Sequence, residues 1–280
     1  MLPAGDIRRL GAGWSIARAL TTGVCLAGAY YLIAVGEMAA AIPPGRGIPL
    51  WAPIGFALAL LLRYGWRMLP GLLLGVLAVD LAYFPWTIGV IIAASTGLGL
   101  AATLTVLRWA GVTGHFPDTA RAALRLAGGS AVTLALPPSI GVPVRVAAGL
   151  IQPDAAWATW WRWWLGDVSA ALIVAPALLA WLDPPRANRG AGTAAEGVAL
   201  FALAMGAGAV RAWLGVDRWV QDAAYLSLAL ALWAAFRFSP RMVTVTVITL
   251  TGGMMAGAVV AASAAHAPIT DGRLAALQVF

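Results

Sequence analysis

Apolar runs separated by short polar breaks repeat along the whole chain. The first extends from about Ile16 to Met38 and ends before the Pro/Gly stretch at 42–50, IPPGRGIPL, which cannot continue a helix. Two shorter runs follow, Trp51–Leu62 and Leu69–Phe84, divided by Arg63-Tyr64-Gly65-Trp66-Arg67. At ~1.5 Å per residue the first of this pair covers only ~18 Å, short of the ~30 Å hydrocarbon core. A thin or partly re-entrant hairpin shielded by protein is therefore expected. Pro85 precedes a fourth run, Thr87–Trp109. The fifth, Leu124–Leu150, contains Pro137-Pro138 and Pro143. These predict a kink or break whose freed backbone groups must be satisfied by neighbours or water. The sixth to ninth runs are Trp157–Leu182, Ala195–Leu214, Ala223–Phe236 and Val243–Ala265. Residues 273–280, RLAALQVF, read as the first two turns of another helix, cut before it could span.

Composition turns these runs into membrane spans. The 280 residues are 61% hydrophobic and 10% charged, with a mean hydropathy of +0.86. A soluble domain could not present a polar exterior from such a chain, and no run alternates as an outer-membrane barrel strand does. The expected fold is an all-α polytopic helical membrane bundle. It has about 8–10 transmembrane segments, including the short hairpin, and a truncated last helix. Residues 1–15 form a cytoplasmic N-terminal arm and 16–280 a single integral membrane domain. Ala39-Ala40-Ala41 resembles a signal-cleavage site, but the first run exceeds a signal peptide's apolar core and is read as a retained helix. Gly97 and Gly99 in the fourth run, and the small residues of the ninth, suit close helix packing.

The net charge of +7 comes from 18 arginines and no lysine, scattered at the ends of apolar runs. They act as topology signals, and no nucleic-acid partner is expected. With the N-terminus in the cytoplasm, twelve of the 18 arginines fall on the cytoplasmic side and six on the other, which favours that orientation. The single Cys25 excludes an intrachain disulfide and a cysteine metal site. His115 and His266 read as loop histidines without metal-ligand spacing, so no metal or cofactor is expected. No nucleophile–base set, P-loop or Rossmann fingerprint is present, and the chain is not expected to be an enzyme.

The candidate chemistry gathers in WATWWRWWLGDVSAALIVAPALLAWL, residues 157–182. Asp167 lies alone in this apolar run, where an acid costs roughly 2.5–3.5 kcal/mol or more at a helix centre. Arg162 is five positions away, about 140° round a helix, and is excluded as an intrahelical partner. Depth offers Asp80 instead, because both acids fall ~15–17 Å into the bilayer on neighbouring segments. The functional expectation is a polar cavity open to the periplasm, lined by Asp80, Asp167 and tryptophans, and suited to a small, cationic ligand. The competing expectation is that each acid bonds backbone or hydroxyl groups freed near Pro53 or Pro137-Pro138. Trp157, Trp160 and Trp161 suit the interfacial belt, and Trp163 and Trp164, one turn deeper, are cavity candidates. Glu37 and Arg145 are expected at outer helix ends, snorkelling and pairing with each other or with Arg46. Arg237 is expected to anchor its helix end or to couple to a downstream module.

Several stretches resemble, in order, the bacterial membrane-associated sensor domains of the first MASE class. Trp51-Ala52-Pro53-Ile54-Gly55 is similar to the family's WPPAG opening, and Leu69-Pro70-Gly71-Leu72-Leu73-Leu74-Gly75 with Asp80 to its next motif. Trp163-Trp164-Leu165-Gly166-Asp167 with Ala175-Pro176 resembles its WWLGD…AP signature. Leu232-Trp233-Ala234-Ala235-Phe236-Arg237-Phe238 resembles its WAALRFG motif, and Leu277-Gln278-Val279-Phe280 the start of its last helix. Ala52, Ile54 and Ser239 depart from the pattern, and Asp80 stands where Asn is at least as common. The resemblance covers about residues 16–280.

It implies a multi-pass sensory input domain of the bacterial inner membrane, usually fused to a histidine kinase, diguanylate cyclase or cyclic-di-GMP phosphodiesterase. No such output module lies in this chain, which reads as a sensor fragment or a stand-alone homologue. The candidate ligand-binding residues are Trp51, Asp80, Trp163, Trp164 and Asp167, and Arg237 is the candidate for signal coupling. The expected partners are the lipid bilayer, a small molecule or membrane protein, a cytoplasmic output module and a second copy of the chain. Two other readings remain open from sequence: a small-molecule transporter or its membrane substrate-binding subunit, and a scaffold recognising another membrane protein.

Overall fold

A computed structural model of the protein describes residues 16–39, 50–184, 193–214 and 220–264. Among these residues the fold is all helical. The helices are α1 (Ile16–Ala39), α2 (Ala52–Tyr64), α3 (Leu69–Tyr83), α4 (Trp86–Trp109), α5 (Ala120–Thr133), α6 (Leu136–Ala147), α7 (Ala156–Leu182), α8 (Ala194–Leu214), α9 (Val220–Arg237) and α10 (Pro240–Ala264). Five described stretches are long and apolar enough to cross a membrane: 17–39, 66–83, 86–109, 120–147 and 153–182. The polytopic helical bundle read from the hydropathy pattern is thus the fold observed. The N-terminal arm, Arg46, Asp217, Arg218, His266 and the segment 273–280 lie outside the described residues.

The predicted interruption of the fifth run falls at Leu134–Ala135, just ahead of Pro137-Pro138, and divides that span into α5 and α6. The Leu134 N–H still reaches the Ser130 carbonyl, but the proline nitrogens of the next turn cannot extend the ladder. The Ala131 carbonyl, one turn before the break, accepts instead from Trp164 Nε1 at 2.8 Å. Thr133 and Thr103 share a hydroxyl hydrogen bond of 2.7 Å that joins α5 to α4.

The short α2 is the most enclosed helix of the described core, with Ile54, Ala57, Leu58, Ala59 and Leu61 all buried. It packs along α7, while α1 covers α3 and α3 and α6 flank α4. Gly55 permits the α2–α7 approach, since a Cβ there would lie 2.6 Å from Val174 Cβ and against the Ala170 carbonyl. A 3₁₀ turn at Trp66–Met68 links α2 to α3. Of the expected short hairpin only α2 is short and enclosed, whereas 66–83 is itself long and apolar enough to cross and leaves Leu74 and Leu81 exposed. The last three described helices form their own core around Leu200, Ala204, Leu230, Ala234 and Leu250, and α10 also packs on α7. Large apolar side chains such as Leu124 and Val132 point outward, as a lipid-facing surface requires.

Candidate functional site

The N-terminus of α2 has no Ser, Thr, Asp or Asn to cap it, because Trp51 occupies the cap position. Buried amide donors there need acceptors from elsewhere. Glu37 of α1 supplies one, its Oε2 accepting from the Ala52 N–H at 2.9 Å. The Gly166 carbonyl of α7 supplies another, accepting from the Trp51 N–H at 3.0 Å. Glu37 is therefore a helix cap and not the snorkelling partner of Arg145 expected from the sequence. These two bonds fix Trp51 beside the turn of α7 that carries Asp167.

Between these elements lies a cavity lined by residues of α1, α2, α3, α4, α6 and α7. Trp51, Asp80, Trp163 and Asp167, four of the five ligand-binding candidates, all face it. So do Tyr30, Thr96 and Arg145. The space open to water centres is about 20 Å³, somewhat above the ~10–15 Å³ that one water needs. The cavity as it stands suits water or a compact solute.

Arg145 departs furthest from the position expected of it. It was expected to snorkel from a helix end, yet it is fully buried. The α5–α6 break explains the difference, because α6 is a short separate helix packed on α4 and α7 rather than the outer end of one long span. Its guanidinium carbon lies 4.8 Å from the Trp163 ring centroid and 5.8 Å from that of Phe84. Such cation–π contacts are worth ~2 kcal/mol or more when desolvated. Gly141, one turn earlier on α6, makes room for the indole, because a Cβ there would fall 2.5 Å from the Trp163 ring.

Several buried polar atoms of the cavity are unsatisfied. Nε, Nη1 and Nη2 of Arg145, both carboxylate oxygens of Asp167 and Oδ2 of Asp80 are buried without a hydrogen-bond partner. Asp167, fully buried, thus takes no backbone or hydroxyl donor freed at a proline break. The Trp163 indole lies close to Asp167, one turn back on α7, outside hydrogen-bond geometry. No ion pair within 4.0 Å joins Arg145 to either acid.

The fifth candidate, Trp164, is not brought to the cavity. It packs against the main core and donates to Ala131. Trp157, Trp160 and Trp161 stack on one another, with centroids 5.5 Å apart for Trp157–Trp160 and 6.2 Å for Trp160–Trp161. Trp157 and Trp161 are exposed, as interfacial residues would be.

A second polar cluster lies at the far end of α2 and α7. Asp183, just beyond α7, accepts from the Phe116 N–H at 3.0 Å and lies 2.6 Å from His115 Nδ1 and 3.3 Å from Arg63 Nη1. Burial raises the Asp183 carboxyl, but the Phe116 amide, His115 and Arg63 together outweigh it and hold it below the usual carboxylate range. Arg241, opening α10, donates to the Ala180 and Asp183 carbonyls at 3.1 and 2.6 Å and stacks over Trp181 at 5.3 Å. It thereby satisfies carbonyls left open at the end of α7. The sequence placed His115 in a loop, where it lies, but its partner was not legible across 68 residues. Arg237, the coupling candidate, forms an ion pair of 2.7 Å with Glu196 and joins the facing ends of α9 and α8. It is remote from the cavity lining. Among the described residues no group of three His, Cys, Asp or Glu side chains could hold a metal ion.

A protein-family model described as MASE1 matches residues 22–275. Comparisons with curated proteins and with solved structures return no significant match.

Proposed function

From the premise that this chain belongs to the MASE1 family, whose members are membrane-integral sensory domains, we propose that it is a sensory input domain worked by the occupancy of its central cavity. The observation carrying this reading is the set of buried polar groups of Arg145 and Asp167 that have no hydrogen-bond partner. Leaving a buried donor or acceptor unsatisfied typically costs ~1–3 kcal/mol, and more for a charged group. An arrangement that costly persists where function requires it, as strained or destabilised sites commonly do.

A ligand can shift a two-state equilibrium only by binding the two states differently. Occupancy here would satisfy Asp167 on α7 and Arg145 on α6, and so favour the packing that brings them together. The change has a physical route onward. α2 and α7 are bonded at one end through Trp51 and Gly166, and at the other through Arg63 and Asp183. Arg241 then joins the end of α7 to α10. We assign the Asp183 end to the cytoplasm, with the N-terminus on that side and the cavity toward the periplasm of a bacterial inner membrane. A kinase or a cyclic-di-GMP enzyme following the bundle would read the change, with or without a second copy of the chain. Arg237 belongs to this proposal only as a brace between α8 and α9.

The test is an in-frame fusion of the chain to a diguanylate cyclase module, read by cellular cyclic-di-GMP. Asp167→Asn and Arg145→Gln are expected to shift output, and the lipid-facing control Leu124→Ala to leave it unchanged. Wild-type output from both cavity variants, at wild-type membrane levels, would overturn the proposal.

A further inference from the structure

We infer that the cavity binds a compact zwitterion, a molecule with an ammonium and a carboxylate or similar oxyanion only a few bonds apart. The inference deepens the sensory reading above and rests on it. It follows from which groups are left unsatisfied, and from where.

The unsatisfied groups are of both kinds. Three nitrogens of Arg145 present donors with no acceptor, and three oxygens of Asp167 and Asp80 present acceptors with no donor. Arg145 and Asp167 are both fully buried, so bulk water does not serve them. They line one cavity, yet no ion pair within 4.0 Å closes between guanidinium and carboxylate. The donors of Arg145 and the acceptors of the two acids thus line one cavity without satisfying one another.

A simple occupant satisfies one side only. A small cation would meet Asp80 and Asp167 and leave the guanidinium without an acceptor. A small anion would meet Arg145 and leave the oxygens of Asp80 and Asp167 without a donor. A zwitterion meets both, its oxyanion on Arg145 and its ammonium between the acids. Three buried oxygens without a donor make the ammonium as necessary to recognition as the oxyanion.

The aromatic rings fit the same occupant. Trp163 and Phe84 contact the Arg145 guanidinium at 4.8 and 5.8 Å and steady it. A steadied guanidinium offers a carboxylate its planar fork of N–H groups. Trp51, also in the lining, provides a further ring against which an ammonium can rest. Size sets the last limit. With about 20 Å³ open to water centres the cavity admits a few heavy atoms, well short of the ~300 Å³ and above of drug-sized sites.

The experiment uses the full chain in lipid nanodiscs, with thermal midpoint and equilibrium dialysis as readouts. The probes, at equal concentrations, are glycine, L-alanine and L-serine, against acetate and methylammonium, which each carry one of the two charges. At least one zwitterion is expected to bind and raise the midpoint. Acetate and methylammonium are expected to bind at least about tenfold more weakly, a difference of about 1.4 kcal/mol. Asp167→Asn and Arg145→Gln should each weaken zwitterion binding by a similar factor. Methylammonium binding as well as the best zwitterion would make the site a cation site and overturn the inference. Acetate doing so would make it an anion site, with the same consequence. Binding by none of the five in the folded wild-type protein also overturns it. In that last case a cyclase fusion that still responds to Asp167→Asn keeps the sensory reading. Zwitterion binding with an unresponsive fusion does the reverse.

Discussion

The guanidinium of Arg145 lies 4.8 Å from the Trp163 ring and within hydrogen-bond reach of no acceptor. A fully buried arginine is thus held by aromatic faces, while its N–H groups have no hydrogen-bond partner among the described residues. The same cavity contains Asp167, fully buried and equally unbonded.

Asp167→Asn is expected to leave fold stability unchanged within about 1 kcal/mol, or to raise it. It replaces a buried carboxyl group that has no hydrogen bond to lose with an amide of nearly the same shape. Thermal midpoints in nanodiscs check this. A loss of about 3 kcal/mol would mean that Asp167 is a structural ion-pair member.

Gly55→Ala should destabilise by about 1–3 kcal/mol, because the new methyl would fall 2.6 Å from Val174 Cβ at the α2–α7 crossing. Gly128→Ala is the matched control. It is an exposed helical position with nothing within 4 Å of the added carbon. A gain of about 0.5–1 kcal/mol is expected there. Equal effects at both sites would contradict the close approach.

Trp164→Phe should cost about 1–3 kcal/mol by stripping the Ala131 carbonyl of its donor. Output of the cyclase fusion should stay at the wild-type value, since Trp164 does not line the cavity. A cavity-like change in output would place Trp164 in the site after all.

Asp183 gives a pH dependence. Its carboxyl is held below the ordinary range in the folded protein by the Phe116 amide, His115 and Arg63, which outweigh the opposing effect of burial. Its stabilisation is therefore complete above the unfolded value of about 3.9 and is lost as pH falls through the lower folded value. Asp183→Asn should reduce the thermal midpoint at neutral pH. The gap between variant and wild type should close as the pH is lowered through that window. A gap independent of pH would deny the carboxylate this role.

The sequence revealed most about groups whose cost or chemistry is intrinsic. An acid such as Asp167 in an apolar run demands explanation wherever it lies, and Asp80 followed from depth along a neighbouring helix. Gly97 and Gly99, read as packing residues, do sit where a Cβ would strike Leu73 and Pro137. What stayed hidden depended on partners distant in the chain. Glu37 caps a helix 15 residues later because Trp51 cannot, and the missing polar cap at Trp51 was the available signal. The sequence predicts a kink or break at the prolines but not its consequence for Arg145, because it does not show that the new helix packs inward and carries the arginine with it. Two unbalanced intramembrane acids already implied a cation, and Arg145 beside Pro143 was the residue to suspect. Trp164 could not be told from Trp163 by position alone, since only the break at α5 decides which indole finds a carbonyl.

If the state of the cavity reaches the far end of α7, hydrogen exchange registers it there. Exchange is compared by mass spectrometry between the wild-type chain and Asp167→Asn in nanodiscs. Altered protection is expected around residues 51–55 and 163–170, and also in the loop around Phe116 and the first turns of α10 near Arg241. Altered protection confined to the turns beside residue 167, with the Asp183 cluster unchanged, would contradict it.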